Sequence, residues 1–136
     1  MSSSRAGSMG TGIEMKPAHF PGRVPIDSYG GGGFRFADMS HRGSILCLPS
    51  GIYGWSVESM ADATAASFAQ LKEEDGPELL LIGTGVDLLP LSEPLTEYLS
   101  HLQVRCEPMS TGAAARTYNV LLSEGRSVGA ALIAVE

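Results

Sequence analysis

The stretch Pro77 to Pro90, PELLLIGTGVDLLP, constrains this 136-residue chain more than any other. Glu78 to Gly83 is an almost uninterrupted apolar run, bounded by Gly76-Pro77 on one side and by Gly83-Thr84-Gly85 on the other. A run of that length between turn signals fits a strand in a parallel sheet, where helices cover both faces and leave no side for polar residues. We read it as a central strand. Open α/β sheets gather ligands and functional surfaces beyond the carboxyl ends of their strands. Interest therefore falls on Gly83, Thr84 and Gly85 and on the residues immediately after them, Val86 to Leu89.

Helix and strand alternate around this run. Before it, Ser59 with Asp62 three residues on predicts a capped helix whose Ala61, Ala65, Phe68 and Leu71 share one face, ending at Gly76-Pro77. After it, Ser92-Glu93-Pro94 opens a helix with Leu95, Leu99 and Leu102 as its buried stripe. Val104 to Glu107 is the next strand. Ser110 or Thr111 caps a third helix carrying Ala114, Tyr118 and Leu121 and stopping near Gly125, and Ser127 to Val135 closes the chain as a buried strand.

The first third reads as β structure. Val24-Pro25-Ile26 and Tyr29 lead into Gly30 to Gly33, and Phe34-Arg35-Phe36 then alternates as a half-buried strand does. The glycine run invites comparison with a phosphate loop, but such loops draw on the helix N-terminus that comes after them, and here a strand comes instead. We read a turn or bulge. Ser44 to Leu48 and Ile52 to Val57 flank Pro49-Ser50-Gly51 and must be antiparallel. Phe34, Phe36, Leu46, Leu48, Tyr53 and Trp55 are expected to supply one buried layer. His41-Arg42 is placed at a turn, either a small cationic site or a solvated loop tip. The expected fold is α/β: N-terminal antiparallel strands followed by α-β-α-β-α-β around a central mixed sheet. It forms a single domain over residues 21–136 behind a flexible Ser- and Gly-rich tail at residues 1–20, which is either plain disordered chain or a poor transit peptide.

Charge and cysteine usage narrow the function. A formal net charge of -6 argues against holding polyanions on a broad basic surface, so nucleic acid is not expected as a partner. No apolar run approaches the roughly 20 residues of a membrane span. Cys47 and Cys106 lie far apart in sequence, without the spacing of a zinc site or a redox pair, and are expected to be unpaired, buried and inert. His19, His41 and His101 form no pair at metal-ligand spacing. A Gly-x-Ser-x-Gly nucleophile elbow is absent. No metal and no cofactor is expected, and no catalytic residue is assigned.

The richest constellation is spatial. Gly83-Thr84-Gly85 and Ser110-Thr111-Gly112 each come directly after a parallel strand, and the second opens a helix whose free N–H groups favour an anion. Arg116 and Asn119 lie within the same helix. Two readings stay open: a pocket for a small anion, which would make the protein a small-ligand enzyme or sensor instead of a binding or assembly factor, or two tight turns with an ordinary cap and a surface arginine. Asp87 is either a base or an exposed loop carboxylate, and Met109 and Tyr118 read as core. Val86, Leu88 and Leu89 are either the apolar centre of a protein contact, with Asp87 and Arg116 at its rim, or part of the chain's own core.

A family resemblance adds to this. Ile26, Tyr29-Gly30, Phe34, Gly43-Ser44, Pro49, Trp55, Leu81-Ile82-Gly83-Thr84-Gly85, Met109, Thr111-Gly112-Ala113-Ala114, Arg116-Thr117-Tyr118-Asn119-Val120-Leu121 and Glu124-Gly125-Arg126 together resemble the Mth-like domain family. The resemblance runs over roughly residues 22 to 135, and the joint order with the Arg-Thr-Tyr-Asn segment is its specific part. It implies a three-layer fold around a mixed sheet and no established catalytic activity. Because the family includes a mitochondrial complex I assembly factor, it also implies a non-enzymatic binding or assembly role, with a respiratory complex subunit or assembly factor as protein partner. A bacterial chain of this kind is expected in the cytoplasm or peripheral to the membrane, a eukaryotic one in mitochondria. Two positions depart from the family pattern: Ser110 stands where relatives often carry an acid, and Ala115 where they often carry cysteine. A thiol mechanism cannot be carried over.

Overall fold

The computed structural model describes residues 20–73 and 76–136. The expected tail, Phe20 apart, lies outside the described residues, as does His19. The elements run β1 (Ser28–Gly30), β2 (Gly33–Phe36), β3 (Met39–Arg42), β4 (Ser44–Leu48), β5 (Gly51–Trp55), α1 (Ala69–Glu73), β6 (Leu79–Gly83), α2 (Glu93–His101), β7 (Arg105–Met109), α3 (Thr111–Ser123) and β8 (Val128–Leu132). Strands β1-β2-β3 form an antiparallel sheet, and the main sheet has the order β5-β4-β8-β6-β7. In it β8 runs antiparallel to β4 and parallel to β6, which is in turn parallel to β7. The expected central strand, β6, is thus internal, while the middle place belongs to β8.

The crossover helices cover opposite faces. The chain steps outward from β6 to β7 through α2, then back past β6 to β8 through α3. Parallel crossovers are right-handed, so reversing the direction of travel moves the connecting helix to the other side. Period-two alternation supplies both helices with an apolar surface. Ile45, Cys47, Leu81, Val128, Ala130 and Leu132 face Ala114, Ala115 and Tyr118 of α3, together with Phe34 and Phe36 of the small sheet. On the other face Leu46, Leu48, Leu80, Ile82, Ala131 and Ile133 meet Phe68, Leu71, Leu95 and Leu99. The arrangement is three-layered around a mixed sheet.

Helix starts are built as the sequence predicts. Ser92 accepts from the Leu95 amide at 3.3 Å with proline in the first turn of α2, and Ser110 accepts from the Ala113 amide at 3.3 Å at the start of α3. Pro108 stands on the edge strand β7, where the ladder N–H it lacks is least missed.

Several expectations are corrected. The helix expected from Ser59 is broken into two 3₁₀ turns, Met60–Asp62 and Ala65–Phe68, before α1. Thr64 starts the chain afresh, its amide donating to the Ser67 hydroxyl at 3.0 Å, and the Trp55 indole N–H takes the Ser67 carbonyl at 2.8 Å, an acceptor that a continuous helix would have used. Ala61 and Ala65 are exposed, whereas Phe68 and Leu71 are buried. The expected single aromatic and aliphatic layer is split, with Phe34 and Phe36 on one face of the main sheet and Leu46, Leu48 and Trp55 on the other. Val24-Pro25-Ile26 is not a strand, and His41-Arg42 belongs to β3, not to a turn. The tight turn lies earlier, at Ala37-Asp38.

Candidate functional site

The loops after β6 and β7 meet at the carboxyl edge of the main sheet. Gly83 makes this approach possible: a Cβ there would lie 2.9 Å from Thr111 Cα. The Thr84 amide donates to the Met109 carbonyl at 2.8 Å, the Thr111 amide to the Gly85 carbonyl at 2.8 Å, and the Gly85 amide to the Thr111 hydroxyl at 3.1 Å. That hydroxyl donates in turn to the Ile133 carbonyl at 2.7 Å. Thr84 is the second buried hinge, with its hydroxyl 2.6 Å from the Asp87 carbonyl, 3.0 Å from the Met109 carbonyl, and accepting from the Leu89 amide at 3.0 Å.

These bonds decide what the edge offers. The Thr111, Ala113 and Gly85 amides that an anion would draw on are already engaged within the protein. Arg116 is exposed and directed at the Tyr29 hydroxyl, 3.4 Å away, instead of toward Thr84. Asn119 is spent on the Ile26 backbone. Within the described residues the two loops come together, but as a mutually satisfied knot. The knot displays an apolar surface: Val86 is 77% exposed, Leu88 60% and Leu89 44%. Asp87 is exposed between them.

Tyr29 is the participant that sequence reasoning assigned to β structure alone. Its ring and hydroxyl lie against Gly112 so closely that a Cβ there would collide with them, and it joins the small sheet to the start of α3. The available signal was Gly112 itself, a poor helix former in a first turn.

Burial disfavours the thiolate form of both cysteines. Burial pushes Cys47 up to about 12, against a hydrogen bond from Tyr118 that lowers it. Burial likewise pushes Cys106 up to about 11 and raises the Tyr118 phenol. Both cysteines are unpaired; Cys47 is buried, while Cys106 is only half-buried, contrary to expectation. Among the described residues no group of three or more His, Cys, Asp or Glu is gathered as a metal would need. No described helix is long and apolar enough to cross a membrane.

Comparison with known proteins places the chain. It is 46% identical over 114 residues to an uncharacterized protein of Rhodobacter capsulatus, covering 84% of this chain and 87% of that one. It is 33% identical over 124 residues to NADH dehydrogenase (ubiquinone) 1 alpha subcomplex assembly factor 3 of Mus musculus, covering 90% of this chain and 67% of the relative. Among solved structures it resembles the crystal structure of an outer membrane protein from Bartonella henselae, with TM-score 0.82, 57% identity, and coverage of 87% and 100%. It also resembles the solution structure of a Mth938-like domain from Bordetella pertussis, with TM-score 0.71, 30% identity, and coverage of 91% and 92%. A family model described as protein of unknown function, DUF498/DUF598, matches residues 26–133, and the chain belongs to that family.

Proposed function

We propose that this protein is a non-enzymatic assembly or binding factor whose partner is a protein, a respiratory complex subunit or a fellow assembly factor, held on the Gly83 to Leu89 loop. One observation carries the reading: Val86, Leu88 and Leu89 are exposed on a loop pinned from beneath by the Thr84 hydroxyl. Exposed apolar side chains on a mobile loop would lose conformational entropy on docking, and a pinned loop has surrendered most of it already. Such a loop supplies an apolar centre, with Asp87 and Arg116 as polar rim. The start of α3, at Ser110, Thr111 and Gly112, holds the loop and its rim, while Asn119 is committed to Ile26. Likeness to a complex I assembly factor supports the class of partner.

The test is photocrosslinking from position 88 in native membranes and cytosol of the source cell, followed by identification of the adduct. A subunit or assembly factor of the respiratory NADH dehydrogenase, lost when Val86→Ser and Leu89→Ser are added with an unchanged thermal midpoint, is the expected result. Adducts that persist in the double variant, or a midpoint that collapses, would defeat the assignment.

A further inference from the structure

The small sheet carries a second feature. Register places Ser28 opposite Arg35 and Arg35 opposite Ser40 in one cross-strand row, and Gly30 opposite Gly33 and Gly33 opposite Arg42 in the next. Each row thus holds one long cationic side chain and two small residues. The small ones leave a hollow of about 390 Å³, bordered by both arginines. Gly31 and Gly32, with φ of +60° and +83°, turn the chain tightly at its end.

Both guanidiniums are exposed in an acidic protein, and neither has an ion-pair partner among the described residues. Among the described residues the ion pairing is between Arg126 and Glu124, elsewhere on the surface. Arg35 spends one N–H on the Ser40 hydroxyl at 2.8 Å. Because that hydroxyl accepts from Arg35, its own proton is free to be donated outward. Glu136 reaches the glycine rim: a Cβ on Gly32 would lie 3.7 Å from Arg42 Nη1 and 3.9 Å from Glu136 Oε2, yet the two groups form no ion pair.

We propose that this hollow binds the phosphate group of a small molecule. Diagonal neighbours on one sheet face stand about 7–8 Å apart at the backbone, close enough for two arginine side chains to converge on one group. A carboxylate holds its two oxygens in one plane and meets one guanidinium fork squarely at a time. A phosphate monoester has three peripheral oxygens, so it can accept from Arg35 and Arg42 together and still take the Ser40 proton. Tyr29 borders the hollow and also touches Gly112 and Arg116, but the cationic groups of this site come from β2 and β3 alone, so it does not rest on the partner reading placed on the loops after β6 and β7.

The experiment is an amide NMR titration of the full chain at low ionic strength with inorganic pyrophosphate, and with malonate as a phosphorus-free dianion. Saturable shifts confined to residues 28–42 are expected, with malonate much weaker. Arg35→Gln and Arg42→Gln should each weaken binding by about tenfold or more at an unchanged thermal midpoint, and Glu136→Gln should strengthen it. Equal binding of malonate, a response that does not saturate, shifts centred on Thr84 and Gly112, or arginine variants that bind normally would each overturn the proposal.

Discussion

The side-chain amide of Asn119 holds both backbone groups of Ile26: the Ile26 N–H donates to Asn119 Oδ1 at 2.8 Å, and Asn119 Nδ2 donates to the Ile26 carbonyl at 2.8 Å. This reproduces, with one side chain, the paired bonds that a neighbouring strand would supply. It fixes the segment leading into β1 against α3 and buries Ile26 in the core.

Asn119→Ala should therefore cost about 2 kcal/mol, the usual penalty when partly buried backbone groups lose their partners. Asn119→Asp should cost at least as much, since a carboxylate can accept from the Ile26 N–H but repels the carbonyl. Denaturant midpoints measure the loss, and hydrogen exchange at the Ile26 amide locates it. Wild-type protection at that amide in Asn119→Ala would show the clamp to be idle.

The β2–β3 turn is open to improvement. Ala37 and Asp38 both take left-handed conformations, with φ of 49° and 61°, in a two-residue loop between the paired Phe36 and Met39. Such turns prefer Asn-Gly, and a Cβ in this region costs about 1 kcal/mol or more per residue. Ala37→Asn with Asp38→Gly should raise the thermal midpoint by several degrees, roughly what 1 kcal/mol yields in a domain of this size. An unchanged or lower midpoint would contradict the turn geometry.

Alkaline pH should weaken the fold through its buried thiols. The Cys47 thiol lies at about 12 in the folded chain against an ordinary 9.0, so the folded state holds its proton more tightly than the unfolded one. Its contribution is complete below pH 9 and is lost as pH rises toward 12. Tyr118, also raised by burial, adds to the fall at the upper end. Urea midpoints should be flat from pH 7 to 8.5 and decline beyond, less steeply in Cys47→Ser, whose hydroxyl does not titrate there. An equally steep decline in that variant would remove Cys47 as a cause. At pH 8 a thiol reagent should modify half-buried Cys106 before Cys47.

Thr84 tests whether loop display matters separately from loop composition. Thr84→Val keeps the shape and removes the hydroxyl that serves the Asp87 and Met109 carbonyls and the Leu89 amide. We expect a loss of about 1–3 kcal/mol, and weaker partner crosslinking from position 88 at temperatures where the variant is fully folded. Undiminished crosslinking there would mean that the apolar residues act without the pin.

The sequence alone determined the features carried by local pattern. The apolar run at Leu79–Gly83, the caps at Ser92 and Ser110, the stripe of Leu95 and Leu99, and the hairpin joining Ser44–Leu48 to the next strand all depend on neighbours within a few residues. The resemblance in the Gly-Thr-Gly and Arg-Thr-Tyr-Asn segments carried the layer arrangement. Tertiary structure decided matters that need a distant partner. The segment at Val24–Ile26 has strand composition but is claimed by Asn119, 93 residues away. The helix from Ser59 loses a carbonyl to the Trp55 indole. β8 holds the centre of the main sheet, where Gly129 lets the Cys47 carbonyl and Pro77 approach more closely than a Cβ would allow. Exposure of Val86, Leu88 and Leu89 was also undecidable locally, since Leu-rich stretches read alike whether they enter a core or leave it. Only the knot between Thr84, Gly85 and Thr111 turns them outward, because hydrogen bonds that close the loop over its own backbone leave the side chains no interior to occupy.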